Sequence, residues 1–179
     1  MQWKFLIAVE KGRIDMAFDS MLQRQIMGRF ATGVTVVTTK LDGQVSGMTA
    51  NAVISLSLNP AIVAVSVDKS ATMHQQIRDG GCFAINILNV KQEEISNRFA
   101  KPGPKDFSDL NIEKSLSGAP IINGVIAWLD CILIKTVPVG DHDLFLGEPI
   151  AGSVNEGAPL IYFGSRYDSL VEGKVKDQD

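Results

Sequence analysis

The fold is decided by residues 34–49, which read VTVVTTKLDGQVSGMT. Valine and threonine favour strands, and over residues 34–39 they follow a pattern with a period of two, which indicates a β-strand. Leu41-Asp42-Gly43 then supplies a tight turn, and residues 45–49 form a second predicted strand. The stretch therefore predicts an antiparallel β-hairpin.

A helix is predicted directly before this hairpin. Asp19 or Ser20 can cap its N-terminus, and Gly33 can end it. Ile26 and Phe30 repeat at helical spacing on one face. This apolar spacing predicts that the helix lies against a sheet.

Strands outnumber helices in the rest of the chain. Further strands are predicted at residues 53–58, 62–67, 82–88, 125–137 and 160–163, with one or two more within 143–154. Short helices are predicted at residues 70–79 and 91–100. The polar stretch 101–118 is predicted to be an exposed loop and is a candidate lid. This order of elements predicts a mainly β fold with inserted helices, arranged as a closed or partly closed barrel.

The composition indicates a single globular domain. The chain has 179 residues, of which 45% are apolar and 21% are charged. We predict an N-terminal extension over residues 1–17, the domain over 18–170 and a charged tail over 171–179. The net charge is −3 and no cluster of basic residues is interleaved with aromatic ones, which disfavours nucleic acid as a partner. The apolar run at residues 5–9 is too short for a signal-peptide core or a membrane span, so we expect a cytoplasmic protein.

The cysteine and histidine content disfavours a metal site. Cys82 and Cys131 lie in apolar, strand-like runs, where cysteine is commonly a small buried hydrophobe. Because His74 and His142 are the two histidines, a zinc or iron site would need mostly carboxylate ligands, and we predict no metal. The sequence also lacks the GxSxG, Walker, HExxH and GxGxxG motifs. A nucleotide bound here needs a cradle other than a Rossmann turn.

The first of four candidate binding segments lies between two predicted strands. Its small residues let a flat ligand approach the backbone closely, and its threonine and asparagine offer hydrogen bonds. An ordinary β-bulge or hairpin crossing is the alternative explanation. The candidate residues are Gly47, Met48, Thr49, Ala50, Asn51 and Ala52.

The second segment lies where a predicted strand ends and a helix begins. The N–H groups of a helix N-terminus, two hydroxyls and an ammonium group suit a phosphate monoester. The charge of Asp68 opposes a phosphate unless its side chain turns away or caps the helix. A simple N-cap beside a solvated lysine is the alternative. The candidate residues are Ser66, Val67, Asp68, Lys69, Ser70 and Thr72.

The third segment, residues 97–100, ends the second predicted helix, and its candidate residues are Arg98, Phe99 and Ala100. Arg98 can clamp a phosphate bidentately, and Phe99 can pack on a ring. An arginine that bonds to the last carbonyls of its own helix is an equally good explanation.

The fourth segment is the polar turn Gly140-Asp141-His142 between two predicted strands. His142 can donate a hydrogen bond to a ligand carbonyl or amide and stabilise negative charge that develops during a reaction. A solvent-exposed turn histidine is the alternative.

Several short motifs follow one another along the chain. They are FATGVTVVTT at residues 30–39, GMTAN at 47–51, SLSLNP at 55–60, CFAINIL at 82–88, GDH at 140–142 and PLIY at 159–162. In their order and spacing these motifs resemble the flavin reductase-like family of FMN-binding split barrels, and the resemblance extends over about residues 20–168.

The resemblance implies an FMN-binding split β-barrel that transfers hydride from NADH or NADPH to flavin, often to supply a monooxygenase, with FAD as the alternative flavin. It implies a homodimer with the flavin near the interface and the ring edge beside residues 48–52. The phosphate is expected near residues 66–72 and Arg98. His142 is the expected catalytic residue, and Gly140 and Asp141 join it in placing the nicotinamide. Tyr162 and Tyr167 are candidates for aromatic cover over the flavin.

Two other interpretations stay open. An FMN-containing electron-transfer flavoprotein, with a protein redox partner and no nicotinamide activity, would carry the same motifs. The same barrel could also act on another small molecule, or bind haem or pyridoxal phosphate.

Overall fold

The computed structural model of the chain describes residues 18–170, together with the backbone of residues 8–10 and 13–15. Most of the predicted N-terminal extension, residues 1–17, and the whole predicted tail, residues 171–179, lie outside the described residues. Both boundaries stay predictions. In the described part of the chain, no helix has the length and apolar character needed to cross a membrane.

The described elements are mostly strands. The helices are α1 (Ser20–Met27), α2 (Thr72–Gly80) and α3 (Glu93–Ala100), with a 3₁₀ turn at Val90–Gln92. The strands are β1 (Ala8–Glu10), β2 (Arg13–Asp15), β3 (Thr32–Gly33), β4 (Thr35–Leu41), β5 (Gln44–Ala50), β6 (Val53–Leu58), β7 (Ala61–Asp68), β8 (Cys82–Ile87), β9 (Ile112–Lys114), β10 (Pro120–Ile122), β11 (Ala127–Val139), β12 (His142–Val154), β13 (Ile161–Phe163) and β14 (Arg166–Asp168).

A seven-stranded sheet forms the body of the domain. Its strand order is β5-β4-β8-β11-β12-β7-β6, and all neighbouring strands are antiparallel. The predicted hairpin is confirmed as β4 and β5, and Asp42 and Gly43 adopt the positive φ angles of 49° and 84° that a tight hairpin turn needs. A three-stranded sheet has the order β14-β13-β3, and its strand β3 lies between α1 and β4 in sequence. The predicted mainly β fold with inserted helices is confirmed.

Strand β4 separates two apolar cores because adjacent residues of a strand point to opposite faces. Val37 belongs to the first core, which contains Phe83 and is covered by α2 through Ile77. Val36 belongs to the second core, which contains Phe99 of α3. Full burial of one such side chain stabilises the fold by about 1.5–3 kcal/mol relative to exposure. The cores therefore hold both inserted helices against the sheet.

Buried threonines of β4 bond to neighbouring strands. The hydroxyl of Thr38 donates to the carbonyl of Pro120 at 2.6 Å, and that of Thr39 donates to the carbonyl of Cys82 at 2.7 Å. A buried hydroxyl without a partner would cost free energy, so these bonds explain how threonine alternates with valine inside a core.

Helix α1 differs from its prediction in two ways. The predicted cap is confirmed, since the carboxylate of Asp19 accepts from the backbone N–H of Met21 at 2.8 Å. The helix ends with Gly28 as its C-cap residue and not at Gly33, which pairs with β13 instead. In the single chain, none of the residues of α1 is buried and Ile26 is 53% exposed. The prediction that this helix packs on a sheet is therefore wrong.

Two other predicted elements need correction. Helix α2 begins at Thr72 and Ala71 is its N-cap residue, so the predicted Ser70 cap is wrong, whereas Gly81 ends the helix in the left-handed conformation as predicted. The stretch 101–118 is not entirely a loop, because it contains β9, which pairs with β10 just beyond it.

Both cysteines are buried and free, as predicted. Burial raises the pKa of the Cys131 thiol to about 12. Its thiolate is therefore scarce at neutral pH, and the residue acts as a small hydrophobe of the first core.

Candidate active site

A cleft of about 270 Å³ opens at the end of β5, beside the end of α3 and the β13–β14 hairpin. Four predicted residues line it, namely Thr49, Ala50 and Asn51 of the first segment and Ala100 of the third. The structure thus brings together parts of two segments that lie about 50 residues apart in sequence. The complete lining is Val34, Thr49, Ala50, Asn51, Ala100, Tyr162 and Tyr167.

Hydrogen bonds fix the walls of this cleft. The hydroxyl of Thr49 donates to the carbonyl of Ser96 at 2.6 Å, which ties β5 to α3. The hydroxyls of Ser96 and Tyr167 lie 2.8 Å apart, which ties α3 to β14. Tyr162 meets Tyr167 edge to face, with ring centroids 5.5 Å apart. Both tyrosines proposed as aromatic cover therefore border the cleft and are held in place.

Ser96 is a residue that the sequence did not single out. It is fully buried, and its hydroxyl and carbonyl bond to Tyr167 and Thr49, the two sides of the cleft. A serine inside a helix carries no pattern that separates this role from ordinary helical surface. Only the three-dimensional contacts identify it.

The rim of the cleft is small and polar. The amide of Asn51 donates to the hydroxyl of Thr32 at 3.3 Å, a long and exposed bond. The carbonyl of Ala52 accepts from the backbone N–H of Ser66 at 3.0 Å. This bond places the start of the second segment directly beside the end of the first.

Gly47, Met48 and Phe99 do not line the cleft. Phe99 is only 1% exposed and meets Phe107 edge to face, with ring centroids 5.0 Å apart. A Cβ atom on Gly47 would lie 2.7 Å from the Phe99 ring, and Met48 packs against the first core. The ring of Phe99 thus belongs to the second core and leaves almost no surface for a ligand.

Arg98 bonds to the following loop. Its guanidinium forms a bidentate pair with the carboxylate of Asp109, with one bond of 2.8 Å, and a third bond of 3.3 Å reaches the carbonyl of Asp106. The hydrogen bonds with Asp109 raise the pKa of Arg98, and the same bonds lower the pKa of Asp109. Both explanations offered for Arg98, a phosphate clamp and a cap of its own helix, miss this loop contact.

The second and fourth segments meet at one end of the sheet. Asp68 lies opposite His142 in the β7–β12 pair, and the backbone N–H of Lys69 donates to the carbonyl of Asp141 at 3.0 Å. The Lys69 ammonium donates to the carbonyl of Gly140 at 2.5 Å. Val67 is fully buried, so only its backbone can face a ligand.

Asp68 turns its charge toward its own loop. One of its oxygens accepts from both the backbone N–H and the hydroxyl of Ser70, each at 2.7 Å. These bonds lower the pKa of Asp68, which keeps the carboxylate ionised. The hydroxyl of Ser70 is consequently engaged, whereas the exposed Thr72 begins α2 behind an N-cap residue that provides no side-chain bond.

His142 lies half-exposed on its turn. Its Nδ1 atom lies 2.8 Å from a carboxylate oxygen of Asp141, and this contact lowers the pKa of Asp141. Across residues 18–170, Nε2 of His142 has no hydrogen-bond partner. This nitrogen is therefore available to a ligand.

The chain is similar to known flavin reductases. The family model described as "Flavin reductase like domain" matches residues 27–171. The chain is 44% identical over 126 residues to the reductase component of the flavin-dependent trigonelline monooxygenase of Acinetobacter baylyi, a match that covers 70% of this chain and 41% of that protein. It is 36% identical over 162 residues to an NADH-dependent flavin reductase of Rhodococcus sp, which covers 89% of this chain and 91% of the relative.

A solved structure has the same fold. The NADH:FAD oxidoreductase of Streptomyces globisporus, in complex with NAD and FAD fragments, superposes with a TM-score of 0.81 at 34% identity, over 90% of this chain and 96% of that one. The chain thus spans nearly the whole of two compared proteins and about two fifths of the trigonelline reductase component.

Proposed function

Because this chain belongs to the flavin reductase-like family, we propose that it is an FMN-binding reductase that moves hydride from NADH to flavin held in the cleft at the end of β5. The observation that carries the proposal is the lining of that cleft, where Thr49, Ala50, Asn51 and Ala100 come together with two tyrosines. These are residues that the sequence motifs single out. FAD and NADPH are the alternative flavin and hydride donor.

The residues of the cleft fit a planar, partly polar ring. The small side chains of Ala50 and Ala100 let a ring approach the backbone closely, and the rings of Tyr162 and Tyr167 can pack against its face. The amide of Asn51 has only a long bond to give up and can turn to a ring carbonyl or nitrogen. In this proposal residues 49–52 hold the ring edge, and Met48, expected there from the sequence, packs against the first core instead.

A phosphate group fits the start of α2 better than Lys69 or Arg98. Lys69 and Arg98 both have strong partners in the structure. The N-terminus of α2 has no side-chain cap, and its first residue, Thr72, exposes its hydroxyl. We therefore assign the phosphate to the N–H groups and hydroxyl at this helix start, with Ser66 beside the cleft rim.

The chain's own part in the reaction is orientation. Bound flavin supplies the hydride acceptor, so no side chain has to act as an acid or a base in the transfer itself. His142 presents Nε2 from the turn that joins β11 and β12, where it can hold the carboxamide of a nicotinamide. Gly140 and Asp141 form the rest of this nicotinamide-binding turn.

We further propose that the protein is a homodimer with the flavin near the interface. Ile26 of α1 and Phe30, which follows the helix, are exposed to solvent, and apolar residues of the main sheet are exposed as well. Exposed apolar surface of this extent is typical of a protein interface. A second copy of the chain would cover it.

The reduced flavin is proposed to serve a separate monooxygenase. This step is supported by the trigonelline relative, which is itself the reductase component of a monooxygenase. A cytoplasmic location belongs to the same proposal, because both buried cysteines are free, as is usual in a reducing compartment.

One experiment tests the function and the place of the cleft. Purified protein mixed with FMN and NADH without oxygen should lose the visible flavin absorbance. Ala100→Leu, which fills the cleft without a change of charge, should weaken flavin binding by about tenfold or more. Ala158→Leu, at another exposed alanine, is the matched control and should bind flavin as the wild type does.

Three outcomes would change the proposal. Bound flavin that neither NADH nor NADPH reduces would indicate the electron-transfer flavoprotein. Equal affinities of Ala100→Leu and wild type would place the flavin elsewhere. A protein that binds no flavin would favour the haem or pyridoxal phosphate alternatives.

A further inference from the structure

A buried ionic cluster lies at the start of β12, next to the Gly140–His142 turn. Its centre is Asp143, whose side chain is 4% exposed. One oxygen, Oδ2, lies 2.8 Å from Nε2 of His74 and accepts from the guanidinium of Arg78 at 3.1 Å. The hydrogen bond with His74 is the largest cause that lowers the pKa of Asp143, so the carboxylate is ionised at neutral pH.

The other oxygen of this carboxylate has a different role. Oδ1 is buried and has no hydrogen-bond partner among the described residues, but the Lys69 ammonium lies 3.5 Å away. A buried carboxylate with an unsatisfied oxygen is costly unless a cation compensates it. Asp143 therefore holds the Lys69 ammonium in this position by charge and without a direct hydrogen bond.

The Lys69 ammonium reaches the turn itself. It donates to the carbonyl of Gly140 at 2.5 Å, while the backbone N–H of Lys69 donates to the carbonyl of Asp141 at 3.0 Å. Gly140 has a positive φ of 59°, and because glycine is flexible, contacts to its carbonyl can restrict the turn. Both carbonyls that precede His142 are thus bound by one residue.

Helix α2 anchors the far side of the cluster. The ring of His74 meets Phe145 edge to face, with centroids 5.1 Å apart, and both His74 and Arg78 belong to α2. Asp143 is therefore fixed to the helix through Oδ2, and Lys69 connects it to the turn through Oδ1.

From this geometry we infer that Lys69 and Asp143 are positioning residues that hold the Gly140–His142 turn in the shape that receives the nicotinamide. The inference rests on the proposed function of that turn. It also reverses the expectation from the sequence that Lys69 binds the flavin phosphate. Loss of the ammonium should then weaken the use of NADH and leave flavin binding nearly unchanged.

The test compares Lys69→Met, which keeps the length of the side chain and removes its charge, with Lys91→Met as a control at another exposed lysine. In the protein without ligands, hydrogen exchange of the peptide over residues 138–144 should be about tenfold faster in Lys69→Met. In the flavin-loaded enzyme KM for NADH should rise about tenfold, whereas the flavin Kd stays within about twofold. The Lys91→Met control should match the wild type in hydrogen exchange, in KM for NADH and in flavin Kd.

Asp143→Asn gives a second, independent variant, because it keeps the shape of the side chain and removes the charge that holds the ammonium. Like Lys69→Met, it should speed hydrogen exchange over residues 138–144 and raise KM for NADH. If it does not fold, Lys69→Met decides alone.

A weaker flavin Kd with an unchanged KM for NADH would return Lys69 to the phosphate and overturn the inference. Unchanged exchange in the turn would overturn it as well. A wild type that cannot oxidise NADH would remove the proposed function. The exchange measurement is made without ligands, so it would still decide whether Lys69 holds the turn.

Discussion

At Gly47, a hydrogen in place of a side chain allows the ring of Phe99 to lie directly against β5. A Cβ atom there would lie 2.7 Å from Cε1 of Phe99 and 3.4 Å from Cζ of Phe107. Neither ring can easily move, since Phe99 is in the second core and packs on Phe107. The sequence explained this glycine by close approach of a ligand, whereas the structure shows close approach of a phenylalanine.

We expect Gly47→Ala to lower the free energy of unfolding by about 1–3 kcal/mol, the usual cost of overpacking a core. The matched control is Gly33→Ala, because no atom lies within 4 Å of a Cβ added at Gly33. That substitution should be neutral or stabilise by about 0.4–1 kcal/mol through the unfolded chain. Urea unfolding of the ligand-free proteins measures both, and equal stabilities would show that the Phe99 contact yields without cost.

Individual residues differ in how far the sequence could place them. Thr49 and Asn51 belong to a contiguous motif, so their common position at the cleft could be predicted. The partners of Lys69 and Arg98 could not, because Gly140 is 71 residues from Lys69 and Asp109 lies 11 residues beyond Arg98 in an irregular loop. Lys69 and Arg98, which the sequence suggested as free to bind a phosphate, are therefore both bonded within the fold.

Among the elements, the loop after α3 depends on the pair of Arg98 and Asp109. Asp106 adds local order by accepting from the backbone N–H of Ser108 at 2.8 Å, and Phe107 packs on Phe99. Because the folded pKa of Asp109 is lowered, the pair stabilises the loop fully above the ordinary carboxylate pKa of 3.8. That contribution is lost as the pH falls through the lower, folded value.

We expect the carboxyl carbon of Asp109 to titrate below 3.8 in an NMR experiment on the wild type, and nearer to 3.8 in Arg98→Gln. In the same variant, hydrogen exchange over residues 101–111 should become faster at neutral pH, since the loop loses three bonds to α3. Lys101→Gln removes a neighbouring charge without removing these bonds and is the control. An unshifted midpoint in Arg98→Gln would refute the pair as the cause.

Local patterns predicted most elements, and long-range pairing decided the exceptions. The β4–β5 hairpin follows from its own residues, including the Asp42-Gly43 turn. Residues 142–154 form one strand of 13 residues, because β12 pairs with β7 on one side and β11 on the other. The strand pairing of Gly33 depends on β13, about 130 residues later, which no local signal near Gly33 reveals.

For the whole molecule, the register of the sheet defines an outer face with exposed isoleucines at its two ends and Glu148 between them. Ile54 lies opposite Ala64, which in turn lies opposite Leu146, and directly paired residues share a face. Their neighbours Val65 and Phe145 point into the first core. Ile54 therefore points away from that core, and it is 46% exposed.

The same face continues onto β11. Glu148 lies two residues beyond Leu146 and so points to the same side, and Ile132 lies opposite Glu148. Ile132 is 40% exposed. The outer face thus extends across β6, β7, β12 and β11 with isoleucines at both ends, and a second copy is the occupant that we propose for it.

A charge at each apolar end of this face should separate the two copies, because the two substitutions would replace apolar contacts with unpaired, desolvated carboxylates. We expect the double variant Ile54→Glu, Ile132→Glu to run as a monomer in analytical ultracentrifugation while its circular dichroism stays that of the wild type. Since the flavin is proposed to lie near the interface, this monomer should also release flavin on gel filtration.

The control is Leu116→Glu, at an exposed leucine between β9 and β10, which should remain a dimer and retain its flavin. A double variant that remains dimeric would move the interface away from the sheet and toward α1, whereas a monomer that keeps its flavin would show that one chain alone completes the pocket.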